Sequence, residues 1–253
     1  MVEWCRNDKV VYGSGFAAKY FSTLNAIFAR DYRGNRPFVN DCASLDLDSI
    51  ESDMSGNNDC TMDCAVGISK FDGNNHTQES LLLVELRYDY KSVANLERDK
   101  MSRKVKHSRE ILIPRRIHPS PFFLFRDNVV NEALRWVKNL SNQYAEMKSW
   151  QIVSVVGFED IVGTESDFPY IPQTNLAVVT KEIMDFAYDS VQLYGICEKW
   201  SVIAASYKNK YNLMELNAII AVMEMALRDV QSKGICDDPE VVAMLLDDLE
   251  TLR

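Results

Sequence analysis

The chain has no run approaching the roughly 18 apolar residues of a membrane span, so no spanning segment is expected. Its opening residues, Met1-Val2-Glu3-Trp4-Cys5-Arg6, also lack the apolar core of a signal peptide. Excess positive charge is missing: 28 Lys and Arg stand against 37 Asp and Glu, a net charge of -9. Nonspecific binding to nucleic acid is therefore not favoured by overall charge; an acidic chain can meet a basic partner, although many cytosolic proteins are simply acidic. Six cysteines, Cys5, Cys42, Cys60, Cys64, Cys197 and Cys236, are scattered through a chain of 253 residues, too long to need disulfide staples. A reducing, cytoplasmic location follows as the expectation. Cys60 and Cys64 form one loose C-x3-C pair, with Cys42 upstream and His76 downstream. The second close pair that zinc would need is absent, so the thiols are read as buried or idle. His76, His107 and His118 are the only histidines, and none has a Ser or Cys partner visible in sequence, although triads are defined by geometry. Gly13-Ser14-Gly15 lacks the Gly and Lys of a phosphate loop and reads as a turn. Internal repeats and low-complexity tracts are absent.

What is present suits an ordinary globular core, with 47% apolar residues. Phe16, Tyr20, Leu24, Ile27 and Phe28 recur at helical spacing and predict a helix over 16–31, with Ser14 as N-cap and Gly34 as stop. The acidic segment 40–58 holds Asp41, Asp46, Asp48, Glu51 and Asp53 without Lys or Arg. It reads as a strand or two with long solvated connections, because the spacing of a calcium loop is not met. Residues 63–68 and 81–88 read as strands joined by turn chemistry at Asp72-Gly73. Helices are predicted over 95–113, ended by Pro114, and over 128–147, with Val130, Leu134, Val137, Leu140 and Tyr144 on its apolar face. Residues 122–125 and 150–158 read as buried strands. After the Pro169/Pro172 region, helices are expected over 180–206 and 212–232, with a short acidic helix from Pro239. The order predicts an α/β protein. A mixed central sheet with flanking helices would occupy 1–165, and a helical extension over 166–253 would pack on it.

One place in this pattern carries chemistry. Leu81-Leu82-Leu83-Val84-Glu85-Leu86-Arg87 embeds a carboxylate in a strand with the continuous apolar character of a central one. Antiparallel pairing with 63–68 puts Asp63 beside Glu85. Burying ionised carboxylates is costly without partners, and two close carboxylates suit a divalent metal. The opening helix, the hairpin bearing Asp63 and Glu85-Leu86-Arg87, and the basic helix after it resemble the PD-(D/E)xK nuclease-like superfamily over roughly residues 16–160. The resemblance implies a restriction-endonuclease-like core, with Asp63 and Glu85 as Mg²⁺ ligands and the position of Arg87 as the catalytic lysine. Two features depart from it. Arg87 is a permanently charged planar fork rather than a compact amine, and the helix over 16–30 contains no Asp or Glu. Lys91 is a remote substitute for the lysine. Without metal, Glu85 and Arg87, two apart on one strand face, would form an ion pair.

Arg98, Lys100, Arg103, Lys104, Lys106 and Arg109 make the helix over 95–113 strongly basic. Arg103, Lys104, Lys106 and Arg109 are candidates to follow a phosphate backbone; the alternative is a solvated face that offsets the acidic segment. Phe122, Phe123 and Phe125 could stack on bases but read as core strand. The leading expectation is a non-catalytic cytoplasmic protein on a nuclease-like core that has lost catalysis. It needs no cofactor and binds a protein partner, as an immunity or defence-associated protein would. The alternative is a Mg-dependent nuclease acting on DNA or RNA through Asp63, Glu85 and Arg87.

Overall fold

A computed structural model describes residues 2–55, 60–210 and 212–252. The chain divides into two compact units, Met1–Pro169 and Tyr170–Arg253.

The first unit is built on an eight-stranded mixed sheet. Its strands are β1 (Trp4–Arg6), β2 (Phe21–Thr23), β3 (Ala43–Asp46), β4 (Cys64–Phe71), β5 (His76–Arg87), β6 (Phe122–Phe125), β7 (Gln151–Val153) and β8 (Val162–Gly163). The spatial order is β2-β3-β4-β5-β6-β7, with β1 antiparallel to the far end of β4 and β8 parallel to β1. β3, β4 and β5 run antiparallel in succession, and β6 and β7 continue parallel to β5. The β4–β5 hairpin forms as expected, with Cys64 opposite Val84. Its turn is fixed by Asp72 Oδ1, which accepts from the Asn74 and Asn75 amides, and by Gly73 at φ +96°.

The helices of this unit are α1 (Asp8–Tyr12), α2 (Ala17–Tyr20), α3 (Leu24–Asp31), α4 (Leu47–Ser55), α5 (Arg98–Ile111), α6 (Asp127–Leu140) and α7 (Val155–Ile161). Alternation along β5 sorts its side chains between two cores. Leu81 and Leu83 point into one with Phe123, Phe125, Met101 and Val105; Leu82, Val84 and Leu86 point into the other with Phe28, Phe122 and Phe158. Each such side chain contributes roughly 1.5–3 kcal/mol by leaving water.

Several expectations need correction. The helix over 16–31 is interrupted: β2 pairs with β3 at Phe21–Thr23, and Thr23 Oγ1 caps α3 by accepting from the Ala26 amide. Sheet pairing overrides the helical spacing there. In the segment 40–58 the expected strand forms, but a helix follows it in place of a solvated connection. The segment thereby forms β3 and α4 and turns Ile50 and Glu51 inward; its last residues, 56–58, lie outside the described ones. The strand over 150–158 stops at Val153, because Ser154 Oγ accepts from the Gly157 amide and starts α7. α6 buries Val129, Ala133 and Val137; of the stripe expected, Val137 is buried, Val130, Leu140 and Tyr144 pack half-buried against the same core, Leu134 is exposed, and the helix ends at Leu140 rather than 147.

The second unit is helical: α8 (Leu176–Asp185), α9 (Ser190–Asn209), α10 (Leu213–Lys233) and α11 (Pro239–Leu252). The single helix expected over 180–206 is two, since Asp189 caps α9 by accepting from the Val191 and Gln192 amides. α10 packs against the other three around Leu216, Ile220, Met223 and Leu227. It ends at Gly234, whose φ of +58° suits a residue without Cβ. No helix among the described residues is long and apolar enough to cross a membrane.

Candidate functional site

The site lies where the β4–β5 hairpin, α4 and α5 meet. Asp63 immediately precedes β4, Glu85 and Arg87 end β5, Asp48 lies in the first turn of α4, and Lys104 lies on α5. Glu85 is fully buried, while the side chains of Asp63, Arg87 and Lys104 keep 13%, 15% and 9% of their exposure. Lys104 Nζ donates to Glu85 Oε1 at 2.8 Å and stands 3.8 Å from Asp63 Oδ1. Arg87 Nη2 meets the same Glu85 oxygen at 2.5 Å. Asp63 turns its other oxygen, Oδ2, to the Leu86 amide at 2.5 Å. The second oxygen of Glu85, Oε2, is buried without a hydrogen-bond partner, which is rare for a native carboxylate.

Burial pushes the Asp63 carboxyl well above the usual range, and the neighbouring Glu85 adds to that. Burial alone would lower the Lys104 ammonium, but the charges of Glu85 and Asp63 outweigh it and hold its proton. The same balance keeps Arg87 raised. Asp48 is pushed up to about 6 by burial, against the pull of Lys104 and Arg30. Arg30, on α3, reaches Asp46 Oδ2 at 2.6 Å and Asp48 Oδ2 at 3.1 Å, so it closes the outer side of the cluster. A polar seam runs on from Asp48. Thr61 Oγ1 lies 3.2 Å from Asp48 Oδ1 and 3.1 Å from Glu51 Oε2, and His107 Nε2 lies 3.2 Å from Glu51 Oε1.

Of the residues singled out in sequence, Asp63, Glu85 and Arg87 are brought together. The basic helix is split. Lys104 faces inward, Lys106 lies 3.9 Å from Glu110, Arg109 donates to the Pro119 carbonyl, and Arg103 is exposed. The inward turn of Lys104 has a signal in the sequence. Met101, Lys104, Val105, Ser108 and Leu112 follow i, i+3, i+4, i+7, i+11 spacing, and all are buried. Ser108, on the same stripe, accepts from the Met62 amide at 2.8 Å and pins the approach to Asp63 onto α5. Among the acids on helices, Asp48 of α4 borders the cluster, and Glu51 of the same helix extends the seam through Thr61.

No family model, curated protein or solved structure matches the chain. The chemistry of the site must therefore be argued from its own atoms. Hard oxygen donors from two carboxylates suit Mg²⁺, which keeps several waters, and the unpartnered Glu85 Oε2 is a free ligand atom of that kind. Among the described residues, no group of three His, Cys, Asp or Glu side chains is arranged to hold a metal. The two carboxylates have the chemistry of Mg²⁺ ligands, and the Lys104 ammonium stands between them, 2.8 Å from Glu85 Oε1 and 3.8 Å from Asp63 Oδ1.

Proposed function

We propose that this cluster is a metal-dependent phosphodiester-hydrolysing site on a nuclease-like core. The observation that carries it is Lys104: a buried ammonium, delivered from α5, bonded to Glu85 beside Asp63, with one Glu85 oxygen left over. On this reading α5 provides the lysine that β5 lacks. The succession of antiparallel β3, β4 and β5, then α5, then parallel β6 also supports the reading. Asp63 and Glu85 would hold Mg²⁺, which when bound supplies charge stabilisation and an activated water. Lys104 keeps its proton and so serves as a donor to a phosphate oxygen rather than as a base. Arg87 offsets the second negative charge and holds Glu85 in place. Calorimetry with Mg²⁺ and Mn²⁺ on the wild type and Asp63→Ala tests the site, together with cleavage of DNA and RNA by the wild type and Glu85→Gln. Metal binding lost with Asp63, and cleavage lost with Glu85, are expected.

A second reading rests on a different contact. Arg87 and Lys104 converge on one oxygen of Glu85 and can satisfy the carboxylates without metal. On that reading the chain is a non-catalytic cytoplasmic protein whose acidic surface, from a net charge of -9, meets a basic protein partner. Absence of both metal binding and cleavage in the same experiments would favour it.

A further inference from the structure

The helical unit carries most of the negative charge of the chain. Residues 170–253 hold 13 Asp and Glu against 7 Lys and Arg, so -6 of the net -9 lies there. α11 contains Glu240, Asp247, Asp248 and Glu250 and no Lys or Arg. The cations of the unit are engaged or placed elsewhere. Lys199, Arg228 and Lys233 pair with Glu182, Glu224 and Asp229. Lys208 donates to the Leu252 carbonyl at 3.3 Å, and Lys210 lies 5.3 Å from the centroid of the Tyr207 ring. Lys181 is on α8, and Arg253 lies outside the described residues.

The same unit leaves apolar surface uncovered beside these acids. α9 buries Leu193, Cys197, Trp200 and Ala204, yet Val191 is 80% exposed and Val202 66%. Val191, Tyr194, Glu198 and Val202 follow helical spacing and form one outward stripe. A helix apolar on two sides has a second face to bury. α11, packed against α9, turns Met244 outward. Between the two helices lies a recess of about 180 Å³. Cys197, Leu245 and Leu249 form its buried floor, and Tyr194, Glu198 and Asp248 its exposed rim. The ion pairs of the unit use neither Glu198 nor Asp248.

This combination selects an occupant. A lysine or arginine stem packs on apolar residues while its charged head seeks carboxylates and the face of an aromatic ring. The recess offers each of these, in a space for one long side chain. Val191, Val202 and Met244 add the apolar contacts that a helix laid in a groove requires. A second copy of this chain would bring carboxylates against carboxylates, which disfavours it.

We propose that the groove between α9 and α11 docks an amphipathic basic helix of another protein, with one Lys or Arg seated between Glu198 and Asp248. The proposal rests on the second reading above, the acidic chain that meets a basic partner, and gives that reading a surface. It involves no residue of the buried cluster, and so the two can fail separately.

The test is fluorescence anisotropy of the full chain with a labelled helical peptide of leucine and lysine, leucines on one face, and with its counterpart carrying glutamate for lysine. The lysine peptide should bind and the glutamate peptide should not. Glu198→Gln/Asp248→Asn should weaken binding about tenfold, since both carboxylates meet the seated cation. Asp127→Asn/Asp160→Asn makes the same change of net charge at exposed positions of the first unit and should leave binding within about twofold. All four positions are exposed, and circular dichroism checks that the variants fold. With methyl-labelled methionine, binding should move the NMR resonance of Met244 and leave those of Met214 and Met225, exposed on α10, in place. Four results would overturn the proposal: no binding of the lysine peptide, equal binding of the glutamate peptide, equal losses in the two double variants, or a Met244 resonance that does not move. A dimer in sedimentation that Val202→Asp converts to monomer would assign the groove to a second copy and overturn it as well. Docking together with Mg-dependent cleavage supports the surface and removes the non-catalytic reading alone. Neither docking nor cleavage overturns the surface and leaves that reading standing.

Discussion

Lys104→Met tests the buried cluster most directly. Methionine matches the length and helix preference of lysine, so α5 and its buried stripe stay filled. What disappears is a charge bonded at 2.8 Å to the fully buried Glu85 and standing 3.8 Å from Asp63. Glu85 would keep Arg87 as its single cation, with Oε2 still unpartnered. Removing one member of a buried pair costs about 3–5 kcal/mol, because the other charge is stranded. The remaining Arg87 bond places the expected loss near the lower end, about 3 kcal/mol. Urea unfolding at pH 7 measures it, and amide exchange at Leu86, whose N–H is tied to Asp63 Oδ2, reports the local opening. Glu85→Gln should be destabilising as well. The double variant Lys104→Met/Glu85→Gln should recover about 2 kcal/mol relative to the sum of the single losses. A loss below about 1 kcal/mol in Lys104→Met, or strict additivity in the double variant, would refute the coupling, since a solvated pair behaves that way.

Three further outcomes are expected. Burial raises the Asp48 carboxyl to about 6, so the folded state holds that proton more tightly than the unfolded one. Ionisation therefore costs stability as pH rises from about 4, the unfolded value, and the cost is complete above about 6. Asp48→Asn should match the wild type below pH 4. At pH 7–8 it should gain about 1–2 kcal/mol, after discounting for partial exposure and for the Arg30 ion pair that asparagine cannot make, measured by unfolding across pH. Gly67→Ala places a Cβ 2.2 Å from the Asn7 carbonyl oxygen, backbone that has little room to yield. It should cost about 3 kcal/mol or more in thermal or urea unfolding. In the helical unit, buried Glu215 accepts from Tyr170 Oη and from the Gln173 and Thr174 amides at 2.9 and 2.6 Å. Glu215→Ala strands those donors and should cost about 2–4 kcal/mol, with faster amide exchange at 173–174. Burial pushes the Glu215 carboxyl up, but the bonds from Thr174, Tyr170 and Gln173 hold it below the usual range. Its contribution is therefore present above the ordinary glutamate value and fades as pH falls through the lowered one.

The sheet was legible where one residue pattern had one solution. The apolar run Leu81 to Arg87 suggests a central strand and Asp72-Gly73 a tight turn, and the hairpin follows, with Cys64 opposite Val84. Legibility failed where short range and long range compete. Phe21-Ser22-Thr23 fits a helix by spacing, yet β3 offers an edge, and the hydroxyl of Thr23 is worth more as a cap on α3 than inside a longer helix. Ser154 and Asp189 stop a strand and a helix by the same device, a side chain accepting from amides two or three residues on. Glu51 shows the third kind of failure. Its charge reads as solvated, but Thr61 and His107 receive it in the interior, and neither partner is near it in sequence.

The charge balance of the first unit ties these observations together. The buried carboxylates are answered locally: Lys104 and Arg87 for Glu85, and Arg30 for Asp46 and Asp48. Cations recruited to that interior are held by carboxylates they cannot leave cheaply. What the two cations leave open is Glu85 Oε2, a buried oxygen without a hydrogen-bond partner.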